Sequence, residues 1–153
     1  MEYLSGEELE DTLIYQDFIS LKLFHDLGWS VNQLASRKYN IEIGESIAGV
    51  EIKNDKKMSE TGNLYIELAE KKPWGDGFVP SGIEREDNTL FWCIGDFKVA
   101  YVIVKKQLKF LCDNFDRFGF KKVQTETSIG ILIPTKFLDE HEIYVVKKLI
   151  FEE

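Results

Sequence analysis

The chain has 153 residues, 44% of them hydrophobic and 13% aromatic, with 27 acidic against 19 basic side chains and a formal charge of −8. That length and apolar content suit one folded domain with a real core and exclude a disordered or low-complexity chain. No apolar run approaches the roughly 18 residues of a membrane helix, and the acidic start Met1-Glu2-Tyr3-Leu4 is unlike a secretion signal, so a soluble cytoplasmic protein without membrane attachment is expected.

Ser5 and Glu8 stand at capping-box spacing and predict a helix beginning there. Leu9, Leu13, Ile14, Phe18, Leu21 and Phe24 recur at helical spacing, and Gly28 suits a stop. This helix is expected to cover a sheet through Ile14, Phe18 and Leu21. Asp17 on the same face would need a partner, because an unpaired buried charge is costly. Strands follow by alternation at Ile41–Ile43, Val50–Lys53 and Leu64–Leu68, with turns at Gly44–Gly49 and Asp55–Gly62. Residues 72–89 form a long loop with Trp74, Phe78 and Ser81-Gly82-Ile83, a length often tied to function. A hairpin is expected at Leu90–Ile94 and Phe97–Val104, then a helix over Lys105–Asn114. A strand at Ile129–Ile133, closed by Pro134, and a last strand at Ile143–Phe151 complete the chain. No linker divides it, so residues 1–153 read as one α/β domain with a central mixed β-sheet flanked by helices.

The expected hairpins carry a register argument. If 41 pairs with 52 and 43 with 50, the isoleucines share the core face and Glu42 stands opposite Glu51. If 52 pairs with 66 and 50 with 68, Glu51 stands opposite Glu67. Three carboxylates would then cross three neighbouring strands, with Lys53 and Tyr65 beside them and Asp55 at a strand end. Facing like charges destabilise a sheet, whereas a divalent cation turns the repulsion into ligation. Carboxylate oxygens with water and phosphate are the ligands Mg²⁺ prefers. A lysine two residues away can stabilise charge building on a phosphate. The alternative is the ordinary solvated face of an antiparallel sheet.

The run Gly49-Val50-Glu51-Ile52-Lys53 after a helix and an acidic segment resembles the PD-(D/E)XK, or restriction-endonuclease-like, nuclease superfamily. The further run Asp55…Thr61-Gly62-Asn63-Leu64-Tyr65-Ile66-Glu67 with Ser81-Gly82-Ile83 is similar to small phage-type and bacterial members, over roughly residues 10 to 105. The resemblance implies a Mg²⁺- or Mn²⁺-dependent nuclease acting on DNA or another nucleic acid. Glu51 and Glu67 would be the leading metal ligands, with Asp55 and Glu42 following, and Lys53 the catalytic lysine acting with Glu51. Glu42 or Glu45 would stand for the upstream acid, and Asp17 for the acid on the helix. A second alignment makes Asp55 and Glu67 the acid pair, but Ala69 then takes the lysine's place.

Lys56, Lys57 and Lys71 flank the acidic stretch and could hold phosphates while Trp74 stacks on a base; solvated loop lysines are the plainer reading. The overall negative charge works against nucleic-acid binding. It favours the rival reading, an inactive nuclease-like domain of a phage or mobile element that binds a protein partner. Cys93 and Cys112 lie in apolar runs and read as buried free thiols. His25 and His141 stand alone, which leaves a zinc site or a Ser-His-Asp triad without support.

Overall fold

In a computed structural model that describes residues 6–151, the first segment forms helix α1 (Gly6–Leu27). It ends as the sequence predicts. Gly28 takes the left-handed conformation with φ 71°, and the amide of Trp29 reaches back to the carbonyl of Leu23. Ser5, the expected cap, lies outside the described residues. The buried stripe is Tyr15, Ile19 and Leu23, spaced four apart. Of the three expected contact residues only Phe18 touches the core, while Ile14 and Leu21 are 51% and 71% exposed. The helix carries two apolar stripes, and periodicity does not rank them. Aromatic packing does: Tyr15 meets Phe97 edge-on at 5.1 Å, and Phe18 meets Phe97 and Phe151 at 5.1 and 4.8 Å.

The expected strand at Ile41–Ile43 is not formed. Ser36 accepts a hydrogen bond from the amide of Tyr39 and caps a short helix, α2 (Arg37–Glu42). Strand β1 (Val50–Asn54) follows, then the one-turn helix α3 (Met58–Thr61) and strand β2 (Asn63–Lys71). The proposed 72–89 loop contains strand β3 (Phe78–Pro80) and a 3₁₀ turn over Gly82–Glu84 with Ile83 buried in the core. Strands β4 (Phe91–Gly95) and β5 (Val99–Val104) form the expected hairpin, and helix α4 (Lys105–Asp113) follows where predicted. After helix α5 (Phe115–Phe118) comes strand β6 (Lys121–Gln124), which the sequence reading did not anticipate. Strand β7 (Ser128–Pro134), helix α6 (Thr135–Glu140) and strand β8 (Lys147–Ile150) close the order. A 3₁₀ turn occupies the start of the expected last strand.

Two four-stranded sheets result, in the orders β1-β4-β5-β8 and β3-β2-β7-β6. The first is mixed, since β1 runs parallel to β4 while β5 and β8 run antiparallel to their neighbours. Its two faces are both covered. Val50, Ile52, Cys93, Ala100 and Val102 pack with the buried stripe of α1. Trp92, Ile94, Tyr101 and Ile103 pack against Leu64, Ile66, Ile131 and Ile133 of the second sheet and against α4. A strand buried on both sides loses polar alternation, as the run Val99-Ala100-Tyr101-Val102-Ile103-Val104 does. The α/β class is therefore observed, as two sheets rather than one. Among the described residues no helix is long and apolar enough to cross a membrane.

The pairing proposed for Glu42, Glu51 and Glu67 is overturned. Strand β1 pairs with β4, placing Glu51 opposite Trp92, whereas β2 pairs with β3 and β7 in the other sheet. The connection between β1 and β2 explains the difference. It is no tight hairpin turn: α3 buries Met58 and ends at Gly62 with φ 74°, carrying the chain across to a second sheet.

Candidate functional site

Strand β1 is an edge strand, and beside Asn63–Glu67 strand β2 has no partner on the side opposite β7. Unpaired strand edges leave amides that need acceptors. Two carboxylates supply them. Glu45 Oε1 accepts from the amide of Ile52 at 2.9 Å, and Asp55 Oδ2 accepts from the amide of Tyr65 at 2.8 Å. Asp55 Oδ1 also takes the amide of Lys57 at 3.2 Å, so both its oxygens bind backbone and it ties the end of β1 to β2.

Period-two geometry sends Glu51 and Lys53 to the face of β1 opposite Val50 and Ile52. Glu51 is 5% exposed, and its Oε1 lies 3.3 Å from Lys53 Nζ. The ammonium also sits 5.8 Å from the centre of the Trp92 ring. Burial disfavours the charge on Lys53, but the carboxylates of Glu51, Glu45 and Glu67 outweigh it and hold its pKa above the ordinary value. Glu67 arrives from β2. Its Oε2 accepts from Ser81 Oγ at 3.0 Å, and burial raises its pKa against the opposing pull of Ser81 and Lys53. The acidic group is thus assembled across two sheets, not along one. Glu51, in contact, and Glu45 and Glu67, through their charge, act together on Lys53, although no register argument brings them together.

Glu45 takes the place near Lys53 that Glu42 was expected to fill. Its pKa is pushed up to about 7, first by burial and then by Glu51, against the attraction of Lys53 and the amide of Ile52. Gln16 of α1 donates to the same oxygen at 3.4 Å. Glu42 is exposed on α2, and Asp17 is exposed on α1, one residue from the side chain that does reach the site. The resemblance offered Glu45 as an alternative to Glu42, and its further sequence signal is its position as a lone charge in the small and apolar run Gly44-Glu45-Ser46-Ile47-Ala48-Gly49.

A cleft of about 560 Å³ opens beside Lys53, lined also by Asp55, Tyr65, Glu67, Trp92 and Leu132. Tyr65 is held there by a 2.5 Å hydrogen bond between its hydroxyl and Ser128 Oγ. Gly130 lies under the ring, where an added Cβ would come within 2.4 Å of it. Of the lysines proposed to hold phosphate, Lys57 lines this cleft. Lys56 is exposed with its ammonium 3.6 Å from Asp11, Lys71 is exposed, and Trp74 is 88% exposed in the 72–77 turn.

Among the described residues, no three His, Cys, Asp or Glu side chains come together in a metal-holding group. Carboxylates such as Glu67, which lines the cleft, and Glu51, whose Oε1 faces Lys53, are the kind of oxygen donor that a hard cation takes together with waters and phosphate oxygens. Comparison with protein families, curated proteins and solved structures returns no match for this chain.

Proposed function

We propose that this domain is a divergent restriction-endonuclease-like nuclease that hydrolyses phosphodiester bonds of nucleic acid, DNA foremost, with Mg²⁺ or Mn²⁺. One observation carries the reading: Lys53, half-exposed at a cleft wall, is held charged by Glu51 at 3.3 Å with Glu45 and Glu67 close by. A charged lysine at the mouth of a cleft is a ready partner for a phosphate whose negative charge grows in the transition state. Glu51 keeps that lysine aimed and, with the charge of Glu45, protonated, while Ser81 and the turn at Gly82 hold Glu67 at the cleft. A cation held by Glu67 and Glu51 would neutralise phosphate charge and make bound water more acidic. Asp55, with both oxygens on backbone amides, positions β2 and the cleft floor.

The test is a melting scan with and without Mn²⁺, run beside cleavage of single-stranded, duplex and branched DNA. Wild type should be stabilised by the ion, because ligands that bind only the folded state raise its stability. Glu67→Gln and Glu51→Gln should lose that response. Lys53→Ala should keep it and lose cleavage. A wild type with neither a metal-dependent shift nor cleavage removes the nuclease reading. The second reading, a protein-binding module, is favoured by the exposed apolar row Leu13, Leu21 and Phe24 on α1, between 51% and 71% exposed. It takes over if α1 substitutions abolish binding of a partner and no metal response exists.

A further inference from the structure

The cleft beside Lys53 has features that a phosphate site alone does not use. Its inner wall is aromatic and aliphatic, made by Tyr65, Trp92, Ile94, Val123 and Leu132. Trp92 is 1% exposed, yet its ring N–H finds no hydrogen-bond partner among the described residues. Buried polar groups are paired in nearly all folded proteins, so this unpaired donor on a residue lining the cleft points to a ligand that supplies an acceptor. Tyr65 is locked in place by Ser128 above and Gly130 beneath, which gives the wall a fixed ring rather than a mobile one.

We infer that this cleft receives one unpaired nucleobase of the substrate strand, with its sugar-phosphate directed toward Lys53 and Glu67. The inference rests on the nuclease reading of the same site and narrows its substrate to unpaired nucleotides. A base is flat, stacks on aromatic rings, and carries acceptors along its edge, which matches a largely apolar cleft with a fixed tyrosine ring and an unpaired N–H. The volume of about 560 Å³ falls among sites for small molecules, roughly 300–1,000 Å³, and a duplex would have to open to use it. Charge agrees. A net charge of −8 works against the phosphate-driven affinity that duplex binders use, so stacking and base-edge contacts have more of the binding to supply.

The test separates base from phosphate and needs no catalysis. Deoxynucleoside 5′-monophosphates and deoxyribose 5-phosphate are titrated separately against wild type, by calorimetry and by tryptophan fluorescence, in EDTA and in Mn²⁺. The nucleotides should bind at least about tenfold more tightly than the base-free sugar phosphate, the scale expected for a stacked base. Val123→Trp, on an edge strand and facing the cleft, should weaken nucleotide binding about tenfold or more while circular dichroism and the Mn²⁺-dependent melting shift stay as in wild type. If that variant unfolds, Leu132→Phe fills the same wall from the neighbouring strand and should act the same way. Cleavage should favour single strands over duplex and fall when the nucleotide at the scissile position lacks its base. Equal binding of nucleotide and sugar phosphate, or cleavage of duplex and base-free strands as fast as of intact single strands, overturns the inference and leaves the hydrolytic reading standing. Nucleotide binding without any cleavage supports the base site and removes hydrolysis instead.

Discussion

Glu45→Gln tests the electrostatics of the site most directly. The carboxyl is partly buried, bonded to Ile52 of β1 and Gln16 of α1, and its pKa is pushed up to about 7 against the ordinary 4.5 of a glutamate. Below pH 4.5 it is protonated in both folded and unfolded chains and contributes no pH-dependent difference. Between 4.5 and 7 the folded chain holds the proton more tightly, so its contribution to stability is lost as the pH rises through about 7. One pKa unit corresponds to about 1.4 kcal/mol, so ionised Glu45 costs the folded state roughly 3 kcal/mol at pH 8. The neutral amide avoids that cost, and its oxygen can still accept from the amide of Ile52. The variant should therefore match wild type near pH 4 and exceed it by up to roughly 3 kcal/mol at pH 8. That is a rise in melting temperature of roughly 6–12 °C for a chain of this size. Lys53 loses one of its carboxylates in the variant, which trims the gain, but Glu51 remains at 3.3 Å. The assay is urea unfolding followed by circular dichroism from pH 4 to 9, in EDTA so that no cation alters the site. A difference between the two proteins that is independent of pH, or a variant less stable than wild type at pH 8, refutes the reasoning.

Three further outcomes are expected. Ile19→Ala should cost about 2–5 kcal/mol because the side chain is fully buried, whereas Leu21→Ala, two residues on, should stay within about 0.5 kcal/mol; chemical denaturation that reverses this order would show that the helix docks by its other face. Gly82→Ala should destabilise by more than about 1 kcal/mol and disturb Glu67, since φ is +54° and a Cβ would come within 2.3 Å of the Glu67 carbonyl oxygen; unchanged urea unfolding and an unchanged Mn²⁺ response would refute it. Lys105→Met should cost up to roughly 3–5 kcal/mol near pH 7, because its ammonium lies 3.2 Å from Asp87, whose side chain is 2% exposed. Burial opposes ionisation of Asp87, but bonds from Thr89 and Lys105 outweigh it and depress its pKa. Its stabilisation is thus present above the ordinary 3.8 and lost as the pH falls through the depressed value, so the variant's deficit should shrink in acid and a constant deficit would contradict the pairing.

Local patterns in the sequence reach as far as single elements and their faces. Helix α1 and its stop at Gly28, the β4–β5 hairpin, helix α4 and the opposite faces of Glu51 and Ile52 all follow from spacing of two or about 3.6 residues and from turn chemistry, which neighbouring residues decide among themselves. Buried cysteines at 93 and 112 follow in the same way from their apolar flanks. The residue types needed for a site, the triplet Glu51-Ile52-Lys53 with Glu67, are also visible as types. What brings them together is not. Alternation tells which way a side chain points but not which strand lies beside it, so β1 could equally have paired with β2. The choice fell to α3 and buried Met58, which route the chain into a second sheet, and to the non-local pairing of β1 with β4 some forty residues later. The same limit hid Gln16 and left Glu45 only an alternative to Glu42 for the upstream acid. Neither belongs to an alternating pattern, and their roles arise because an unpaired edge amide at Ile52 requires an acceptor that only the folded arrangement supplies.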